Sequence, residues 1–305
     1  MGQAALLACD WGTTNLRAWT LDGAGGVVDG REFDLGVSRL QPGEAERAFH
    51  EVVRPGLAAE RLPAILCGMI GSNLGWTVVD YVACPAGLEN LAGGFARVET
   101  GAAPAGIVPG VRGPGIAGGA DVMRGEETQV LGWLHADPAR LTGRRLICHP
   151  GTHAKWVVVE DGRIVRFATF MTGELFAVLR RHSVLRSDAP AEDAQAFEEG
   201  LAAAGRGDAL AARLFTARAR VAAEGKPADT TPSYLSGLLI GAEIAAAPAL
   251  LGLDPSEPVV LLGDAELCRW YGRAFLRAGL TVESHDGEAA VRSGLFALYR
   301  LETER

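Results

Sequence analysis

Two short segments of the sequence place glycine, threonine and neighbouring polar groups in the same order, and both could bind phosphate. The first extends from Cys9 to Asn15 and the second from Cys148 to Lys155. A shift of 139 residues, which brings Gly12 onto Gly151, also superimposes the cysteines, the threonines and the Asp-Gly pairs that follow. Each segment fits a buried strand, a tight Gly-Thr turn and a second strand that ends in an Asp-Gly turn.

A Gly-Thr turn exposes backbone N–H groups and a hydroxyl with little steric bulk around them, so it can hold phosphate oxygens. Two such turns facing each other across a cleft could bind one polyphosphate. We therefore expect phosphate contacts from Gly12, Thr13, Thr14 and Asn15 in the first turn and from Gly151, Thr152, His153 and Lys155 in the second. The alternative is a pair of ordinary hairpins with solvated side chains, whose matching residues arose by chance.

Two aspartates are candidates for chemistry beside these turns. Asp10 ends the first strand, where a carboxylate could hold Mg²⁺, usually through water, next to a phosphate group. Asp121 follows a glycine-rich loop and precedes a predicted helix, so it could accept a hydroxyl proton as a general base. A turn cap at Asp10 and a helix N-cap at Asp121 are the alternatives. Glu126 and Glu127 are rivals to Asp121 for the role of base.

A third group of residues could bind an organic substrate. In the loop after the strand predicted at 64–67, Ser72 and Asn73 offer a hydroxyl and an amide, and Trp76 offers an indole face for a polyhydroxy compound. Arg17 or Arg124 could bind a substrate carboxylate. Gly237, Gly241 and Gly263 would let an adenine ring approach the backbone, although helix and strand packing explains the same glycines.

The elements that must position these residues alternate between strands and helices. The chain opens with three strands in a meander at 4–10, 16–21 and 27–35, followed by a helix at 44–59 and a buried strand at 64–67. The second half repeats this order from Leu146 and ends in a strand at 281–284 and a helix at 288–301. We predict two related α/β domains, 1–137 and 138–305, with a cleft between them, and the terminal helix can pack back on the first domain.

Composition and missing motifs narrow the classes of function. A net charge of −8 argues against a general nucleic-acid or acidic-membrane surface, and no stretch resembles an uncharged membrane span. Five cysteines without a C-x-x-C pair favour reduced thiols and a cytoplasmic protein. A P-loop is absent. The literal G-x-G-x-x-G at Gly113–Gly118 has prolines on either side where a dinucleotide fold needs a strand and a helix, so we expect a loop there.

Six blocks spread over nearly the whole chain resemble the 2-dehydro-3-deoxygalactonokinase family. They are Asp10–Arg17, Gly68–Asn73, Asp121–Thr128, Pro150–Trp156, Met171–Leu175 and Ser236–Glu243. The resemblance implies duplicated ribonuclease-H-like domains of the actin and hexokinase ATPase type flanking a nucleotide cleft. The first domain would hold the first phosphate element and the sugar acid, and the second would hold the second phosphate element and adenosine.

The activity implied by this resemblance is ATP-dependent phosphorylation of the 6-hydroxyl of 2-dehydro-3-deoxy-D-galactonate, with Mg²⁺, in galactonate breakdown. The resemblance also implies small-molecule partners without nucleic acid or membrane, and a homodimer is one option. Other superfamily members carry an acidic residue and two glycines where this chain has Pro150-Gly151-Thr152, which weakens any claim to a second metal-binding carboxylate. The alternatives are a kinase for a related 2-keto-3-deoxy sugar acid, a nucleotide-binding regulator, and a dinucleotide oxidoreductase.

Overall fold

The first sheet is built around two parallel strands whose carboxyl ends lie side by side. A computed structural model describes residues 2–99, 103–205, 208–254 and 257–304. The six strands of this sheet are β1 (Ala4–Trp11), β2 (Leu16–Asp22), β3 (Val27–Phe33), β4 (Ala64–Gly68), β6 (Ala96–Val98) and β7 (Ala105–Ile107). Their order is β3-β2-β1-β4-β7-β6, with β1 antiparallel to β2 and parallel to β4. The predicted meander is therefore confirmed.

The second sheet repeats the order of the first. It contains β10 (Arg144–His149), β11 (Ala154–Glu160), β12 (Arg163–Phe170), β13 (Val259–Gly263) and β14 (Val282–Asp286). Its order is β12-β11-β10-β13-β14, and β10 runs parallel to β13 as β1 runs parallel to β4. Each sheet thus begins with a three-strand meander whose first strand receives a parallel strand from later in the chain, which agrees with the repeat read from the sequence.

A small third sheet occupies a segment in which the sequence suggested a loop and a helix start. Its strands are β5 (Val82–Ala83), β8 (Val111–Pro114) and β9 (Ala120–Met123), and β8 pairs antiparallel with β9 so that Gly113 lies opposite Asp121. The G-x-G-x-x-G match is therefore a strand-turn-strand hairpin, which removes the dinucleotide alternative. The helix predicted from Val122 begins only at Glu126, because Gly125, with φ +109°, redirects the chain after β9.

Helices cover both sheets. The predicted helix at 44–59 is observed as α1 (Glu44–Ala48) and α2 (Arg54–Gly56), with a π-helical turn at Phe49–Val53 between them. The remaining helices are α3 (Leu88–Gly93), α4 (Glu126–His135), α5 (Thr172–His182), α6 (Ala194–Ala203), α7 (Leu210–Leu214), α8 (Thr216–Ala222), α9 (Thr231–Leu251), α10 (Ala265–Arg277) and α11 (Gly287–Thr303).

The chain divides into two compact units, and each unit is made of more than one segment of the sequence. The first comprises Met1–Arg144, Val158–Arg166 and Asp286–Arg305, and the second comprises Arg145–Val157 and Phe167–His285. Helix α11 belongs to the first unit, where Gly132 of α4 and Gly294 of α11 allow the two helix backbones to approach closely. The domains predicted at 1–137 and 138–305, with the role expected of each, stay a prediction.

One helical stretch, Ala228–Leu251, is long and apolar enough to cross a membrane by length and composition. Most of its residues are buried against other parts of the fold, as they are in a core helix. Its apolar character is therefore accounted for by packing within the second unit.

Candidate active site

The first Gly-Thr turn joins β1 to β2 and presents one side of its backbone to solvent. The carbonyl oxygens of Gly12, Thr13 and Thr14 accept hydrogen bonds of 3.1, 3.0 and 3.0 Å from the backbone of the segment 36–38. In a trans peptide the N–H points away from the preceding C=O. The N–H groups of Thr13, Thr14 and Asn15 are consequently directed away from that segment, and all three residues are exposed. This is the arrangement expected of an anion-binding turn.

Gly36 makes this arrangement possible. A Cβ at Gly36 would lie 2.0 Å from the carbonyl carbon of Thr14 and 2.3 Å from the oxygen of Thr13, so no larger residue fits without moving the turn. Gly36 was not predicted from the sequence, because its contact with the turn is made across more than twenty residues. The only local signal was its place directly after the strand predicted at 27–35.

We expect Gly36→Ala to weaken ATP binding about tenfold, since the added methyl group displaces the turn and overpacking of this kind costs about 1–3 kcal/mol. Isothermal titration of each variant with Mg-ATP measures the effect. Gly23→Ala is the matched control, because a Cβ at Gly23 meets no atom within 4 Å. Equal ATP affinities for the two variants would contradict the role given to Gly36.

Asp10 lies at the carboxyl end of β1, directly before this turn. Its side chain is buried, and Oδ2 accepts a hydrogen bond of 2.6 Å from Nη2 of Arg17, its partner in the β1–β2 register. The Cys67 thiol approaches Oδ1 at 3.8 Å from the end of β4. Burial raises the pKa of Asp10 above its ordinary value, against the opposing effect of the Arg17 guanidinium. A cation bound there would favour the charged form of this carboxyl.

The start of α4 brings two more carboxylates to the same edge of the sheet. Gly125 packs on Gly68 at the end of β4, with its Cβ position 3.3 Å from the Gly68 Cα. The Glu126 carboxylate accepts the backbone N–H of Arg124 at 3.0 Å and lies near enough to Asp10 to raise the pKa of Asp10 further. Glu126 is half-buried, so a substrate can reach it.

Glu127 faces the interior. It is fully buried and accepts hydrogen bonds from the backbone N–H of Gly125 at 2.7 Å and from the Thr128 hydroxyl at 3.0 Å. Burial, with the nearby charge of Glu126, raises the pKa of Glu127 to about 8. Glu127 is therefore mostly protonated at neutral pH and is a poor proton acceptor there.

Asp121 is not at a helix N-terminus. It is the second residue of β9, and its Oδ1 accepts the backbone N–H of Val122 at 2.7 Å. The N-cap interpretation is wrong because residues 120–123 pair with β8 instead of starting α4. The structure thus brings Glu126, rather than Asp121, to the first turn of α4.

Two of the three residues predicted to bind substrate in the loop after β4 contact other residues of the fold. The Ser72 hydroxyl donates to the carbonyl of Met69 at 2.7 Å and is buried. The Trp76 ring packs against Phe49, with ring centroids 5.4 Å apart. The side chain of Asn73 is exposed at the loop surface. Of this group, Asn73 is exposed, Trp76 is half-buried, and the hydroxyl of Ser72 is used within the loop.

The two candidate arginines differ in how their charges are compensated. Arg17 is paired with Asp10. Arg124 donates from Nη2 to the carbonyl of Val79 at 2.7 Å, and its guanidinium lies 4.3 Å from the centre of the Tyr81 ring. Its Nε and Nη1 atoms are buried beside the Gly71 backbone without a hydrogen-bond acceptor among the described residues. The positive charge of Arg124 has no carboxylate partner within 2–99, 103–205, 208–254 or 257–304.

The second Gly-Thr turn, in the second unit, is fixed by the start of α5. The backbone N–H of Glu174 donates to the carbonyl of Thr152 at 2.9 Å, so the N–H of His153 points the other way. A Cβ at Gly173 would lie 2.5 Å from the carbonyl oxygen of Gly151, which makes this helix-turn contact possible only with glycine. In both turns, therefore, a neighbouring segment donates hydrogen bonds to backbone carbonyl groups of the turn.

The two basic side chains of the second turn differ in exposure. His153 is exposed and hydrogen-bonds through Nε2 to Glu174. Lys155 is buried on β11, and its Nζ donates to the Thr169 hydroxyl at 3.0 Å. Strand β11 is buried on both faces from Ala154 to Val159, so the charge of Lys155 is not displayed at the surface of the turn.

A cavity of about 430 Å³ adjoins this second turn within the second unit. Gly151, Thr152 and Thr172 form one part of its wall, and Asp264 at the start of α10 forms another. Its apolar lining comes from Phe176, Leu239, Ile240 and Trp270. An apolar cavity with a few polar groups, of this size, suits the base and sugar of a nucleoside.

Two of the three glycines predicted to border adenosine are used in helix packing. A Cβ at Gly237 would lie 2.1 Å from the carbonyl oxygen of Phe197, and one at Gly241 would lie 2.7 Å from the Ala204 side chain. Both glycines therefore serve the packing of α9 against α6 and do not line the cavity. Gly263 ends β13 beside Pro150, next to the cavity residue Asp264. On α9 the cavity is lined instead by Ser236, Leu239 and Ile240.

Comparison with known proteins places the chain among sugar-acid kinases. The model of the 2-keto-3-deoxy-galactonokinase family matches residues 10–298. A protein of Rhizobium meliloti (strain 1021) named a probable 2-dehydro-3-deoxygalactonokinase is 37% identical over 96% of this chain and 96% of its own length. The 2-dehydro-3-deoxygalactonokinase of Escherichia coli (strain K12) is 33% identical over the same shares.

A solved structure shows the same fold. The crystal structure of a probable 2-dehydro-3-deoxygalactonokinase from Sinorhizobium meliloti aligns with a TM-score of 0.85 at 35% identity. The alignment covers 97% of this chain and 99% of that chain. Together with the repeated strand order, this likeness confirms the predicted class, a duplicated α/β fold of the actin and hexokinase ATPase type.

Proposed function

The chain belongs to the 2-keto-3-deoxy-galactonokinase family, and from this membership we propose that it transfers the γ-phosphoryl group of ATP to the 6-hydroxyl of 2-dehydro-3-deoxy-D-galactonate. The products are the 6-phosphate and ADP, and the reaction belongs to galactonate catabolism. The observation that carries the proposal is the family match over residues 10–298, which includes both Gly-Thr turns and the start of α4. The chemistry follows from the residues of each unit.

The second unit supplies the contacts to the nucleoside in this proposal. The nucleoside of ATP occupies the 430 Å³ cavity, and its phosphates extend to the Gly151–Thr152 turn at the edge of that cavity. The backbone of this turn and the first turn of α5 provide N–H groups for the phosphate oxygens. The apolar lining of the cavity supports this placement, because it matches the base rather than the charged end of ATP.

The first unit binds Mg²⁺ through Asp10 in this proposal. No group of three or more His, Cys, Asp or Glu side chains that could hold a metal occurs among the described residues. A single buried carboxylate at the end of β1 nevertheless fits Mg²⁺, which proteins often bind through one or two carboxylates together with substrate phosphates and water. When bound, the ion neutralises the charge that develops on the phosphoryl group. The exposed N–H groups of Thr13, Thr14 and Asn15 orient phosphate oxygens beside it.

Glu126 is the general base that the geometry supports best. It is half-buried at the start of α4, on the same sheet edge as Asp10. Its carboxylate can accept the proton of the 6-hydroxyl as that oxygen attacks the γ-phosphorus. Glu127 is buried and Asp121 lies on the β8–β9 hairpin, so each is the weaker candidate.

Arg124 recognises the carboxylate of the sugar acid in this proposal. Among the described residues its charge has no carboxylate partner, and it is held beside the Gly71 backbone by Val79 and Tyr81, whereas the charge of Arg17 is already matched by Asp10. A substrate carboxylate would supply a partner for the buried Nε and Nη1 atoms after a small movement of the residues around them.

We expect Arg124→Met to raise the KM for the sugar acid about 10- to 100-fold, the equivalent of a hydrogen bond to a charged group worth about 1.5–3 kcal/mol. The KM for ATP is expected to stay within about twofold, because nucleotide contacts lie elsewhere. Steady-state kinetics with each substrate varied in turn measures both constants. Arg112→Met, which removes an exposed arginine from the nearby strand β8, is the control. An unchanged sugar-acid KM in folded Arg124→Met would move the carboxylate to another residue.

The activity itself is tested by ADP release in a coupled assay. Mg-ATP is supplied with 2-dehydro-3-deoxy-D-galactonate, with the gluco epimer, or with no acceptor. ADP that appears only with the galacto compound supports the proposal in full, and preference for the gluco compound identifies the related kinase. ATP binding with slow hydrolysis that ignores both acids identifies the nucleotide-binding regulator. We also propose a cytoplasmic protein whose partners are these small molecules, with light scattering to decide between monomer and homodimer.

A further inference from the structure

The side chain of Glu243 is a buried carboxylate that the reaction does not use directly. It projects from α9 inside the second unit and is 3% exposed. Three groups donate to it: the Trp156 indole at 2.8 Å, the Tyr271 hydroxyl at 2.8 Å and the Thr172 hydroxyl. None of these donors carries a charge, and no lysine or arginine is paired with Glu243 among the described residues.

Burial raises the pKa of Glu243 to about 7, against the three hydrogen bonds that favour its charged form. A glutamate without a cationic partner is costly to bury, and an apolar side chain of similar size would pack in its place at less cost. A carboxylate in such a setting therefore calls for a role beyond filling the core of the second unit.

Two of the three donors connect Glu243 to the cavity. Thr172 and Tyr271 line the cavity, whereas Trp156 does not. Thr172 is the first residue of α5, and the next residue, Gly173, lies against the Gly151–Thr152 turn. One carboxylate oxygen thus accepts both cavity-lining hydroxyls, and the other is held by the indole on the opposite side.

We propose that Glu243 is a positioning residue for the nucleotide: by binding the hydroxyls of Thr172 and Tyr271 it fixes the start of α5, and with it the second Gly-Thr turn, at the cavity wall. This inference rests on the proposed use of the cavity for ATP. Glu243 itself does not touch the nucleotide. Its effect is on the geometry of the groups that do.

The test compares ADP affinity, both Michaelis constants and thermal unfolding in matched variants. Glu243→Met removes both acceptor oxygens with little change in side-chain length, so all three donors lose their acceptor. We expect about tenfold weaker ADP binding and a similar rise in the KM for ATP, with the KM for the sugar acid changed less than about twofold. Trp156→Phe, which removes the donor that does not line the cavity, is expected to lower the unfolding temperature but leave ADP affinity within about twofold.

A second pair of variants covers the case in which Glu243→Met fails to fold. Thr172→Val removes the hydroxyl at nearly constant volume and is expected to weaken ADP binding about tenfold, whereas Thr172→Ser keeps the hydroxyl and is expected to retain the affinity. Unchanged ADP affinity in both Glu243→Met and Thr172→Val would overturn the proposal. So would equal losses in Glu243→Met and Trp156→Phe, because they would indicate general loosening.

Failure of the proposed function gives a different result. If wild type binds ADP but phosphorylates no sugar acid, the kinase assignment is at fault, and the ADP comparison still tests Glu243. If wild type does not bind ADP, the cavity is not a nucleotide site and the inference about Glu243 falls with it.

Discussion

Replacing Glu126 by glutamine is expected to lower kcat about 10²- to 10⁴-fold, the range that general-base catalysis supplies. The amide is nearly isosteric and can still accept the N–H of Arg124, so the fold at the start of α4 is preserved. It cannot accept the proton of the attacking hydroxyl. Steady-state ADP release with saturating Mg-ATP and sugar acid measures the loss, and thermal unfolding confirms that the variant is folded.

Two neighbouring carboxylates provide the controls for this experiment. Asp121→Asn changes a residue on the β8–β9 hairpin, and Glu127→Gln changes a buried residue that is mostly protonated at neutral pH. Both are expected to retain kcat within about tenfold, because neither removes the proton acceptor. A collapse of kcat in Asp121→Asn with activity preserved in Glu126→Gln would return the role of base to Asp121.

Asp10→Asn is expected to reduce kcat/KM by at least about 10³-fold, because a metal bound to the phosphoryl group contributes several kcal/mol of charge stabilisation. The asparagine keeps the shape of the side chain but lacks the charge that holds the cation. Stability is expected to change little, since the cost of burying the carboxylate is removed along with its ion pair to a partly exposed arginine. Activity as a function of Mg²⁺ concentration and thermal unfolding measure the two effects.

Arg17→Met separates the metal role of Asp10 from its ion pair. It removes the same hydrogen bond from the other side and leaves the carboxylate in place. We expect it to retain activity within about tenfold, with a Mg²⁺ dependence close to that of wild type. Equal losses in Arg17→Met and Asp10→Asn would show that the ion pair, rather than metal binding, is what the reaction needs.

The first strands and turns were predictable because their signals are local. An apolar run and an Asp-Gly turn marked β1 and β2, and the Gly-Thr pairs marked the turns for which we predict phosphate binding. The start of α4 was not predictable in the same way. The side chains of segment 120–123 are compatible with a helix, but the segment forms a strand because it pairs with β8. That pairing moved the candidate base from Asp121 to Glu126.

The residues that the sequence analysis missed or misplaced act across long separations. The role of Gly36 depends on the turn that it contacts, and the role of Glu243 depends on hydrogen-bond donors from three other elements. Gly237 and Gly241 have the spacing of a smooth helix face, but only the structure shows that α6, rather than a ligand, occupies that face. A single sequence indicates that a helix has a face of small residues, but it does not indicate which helix or ligand packs against that face.

The division of the chain into units also orders events on the ribosome. The first unit includes α11, whose Gly294 packs on α4, and α11 is translated after every residue of the second unit. Nascent α4 therefore leaves the exit tunnel with the surface around Gly132 exposed. More than a hundred further residues are synthesised before α11 can cover that surface. The second unit, Arg145–Val157 with Phe167–His285, is complete before α11 emerges. The part of the protein that is synthesised first is thus the part that can finish folding last.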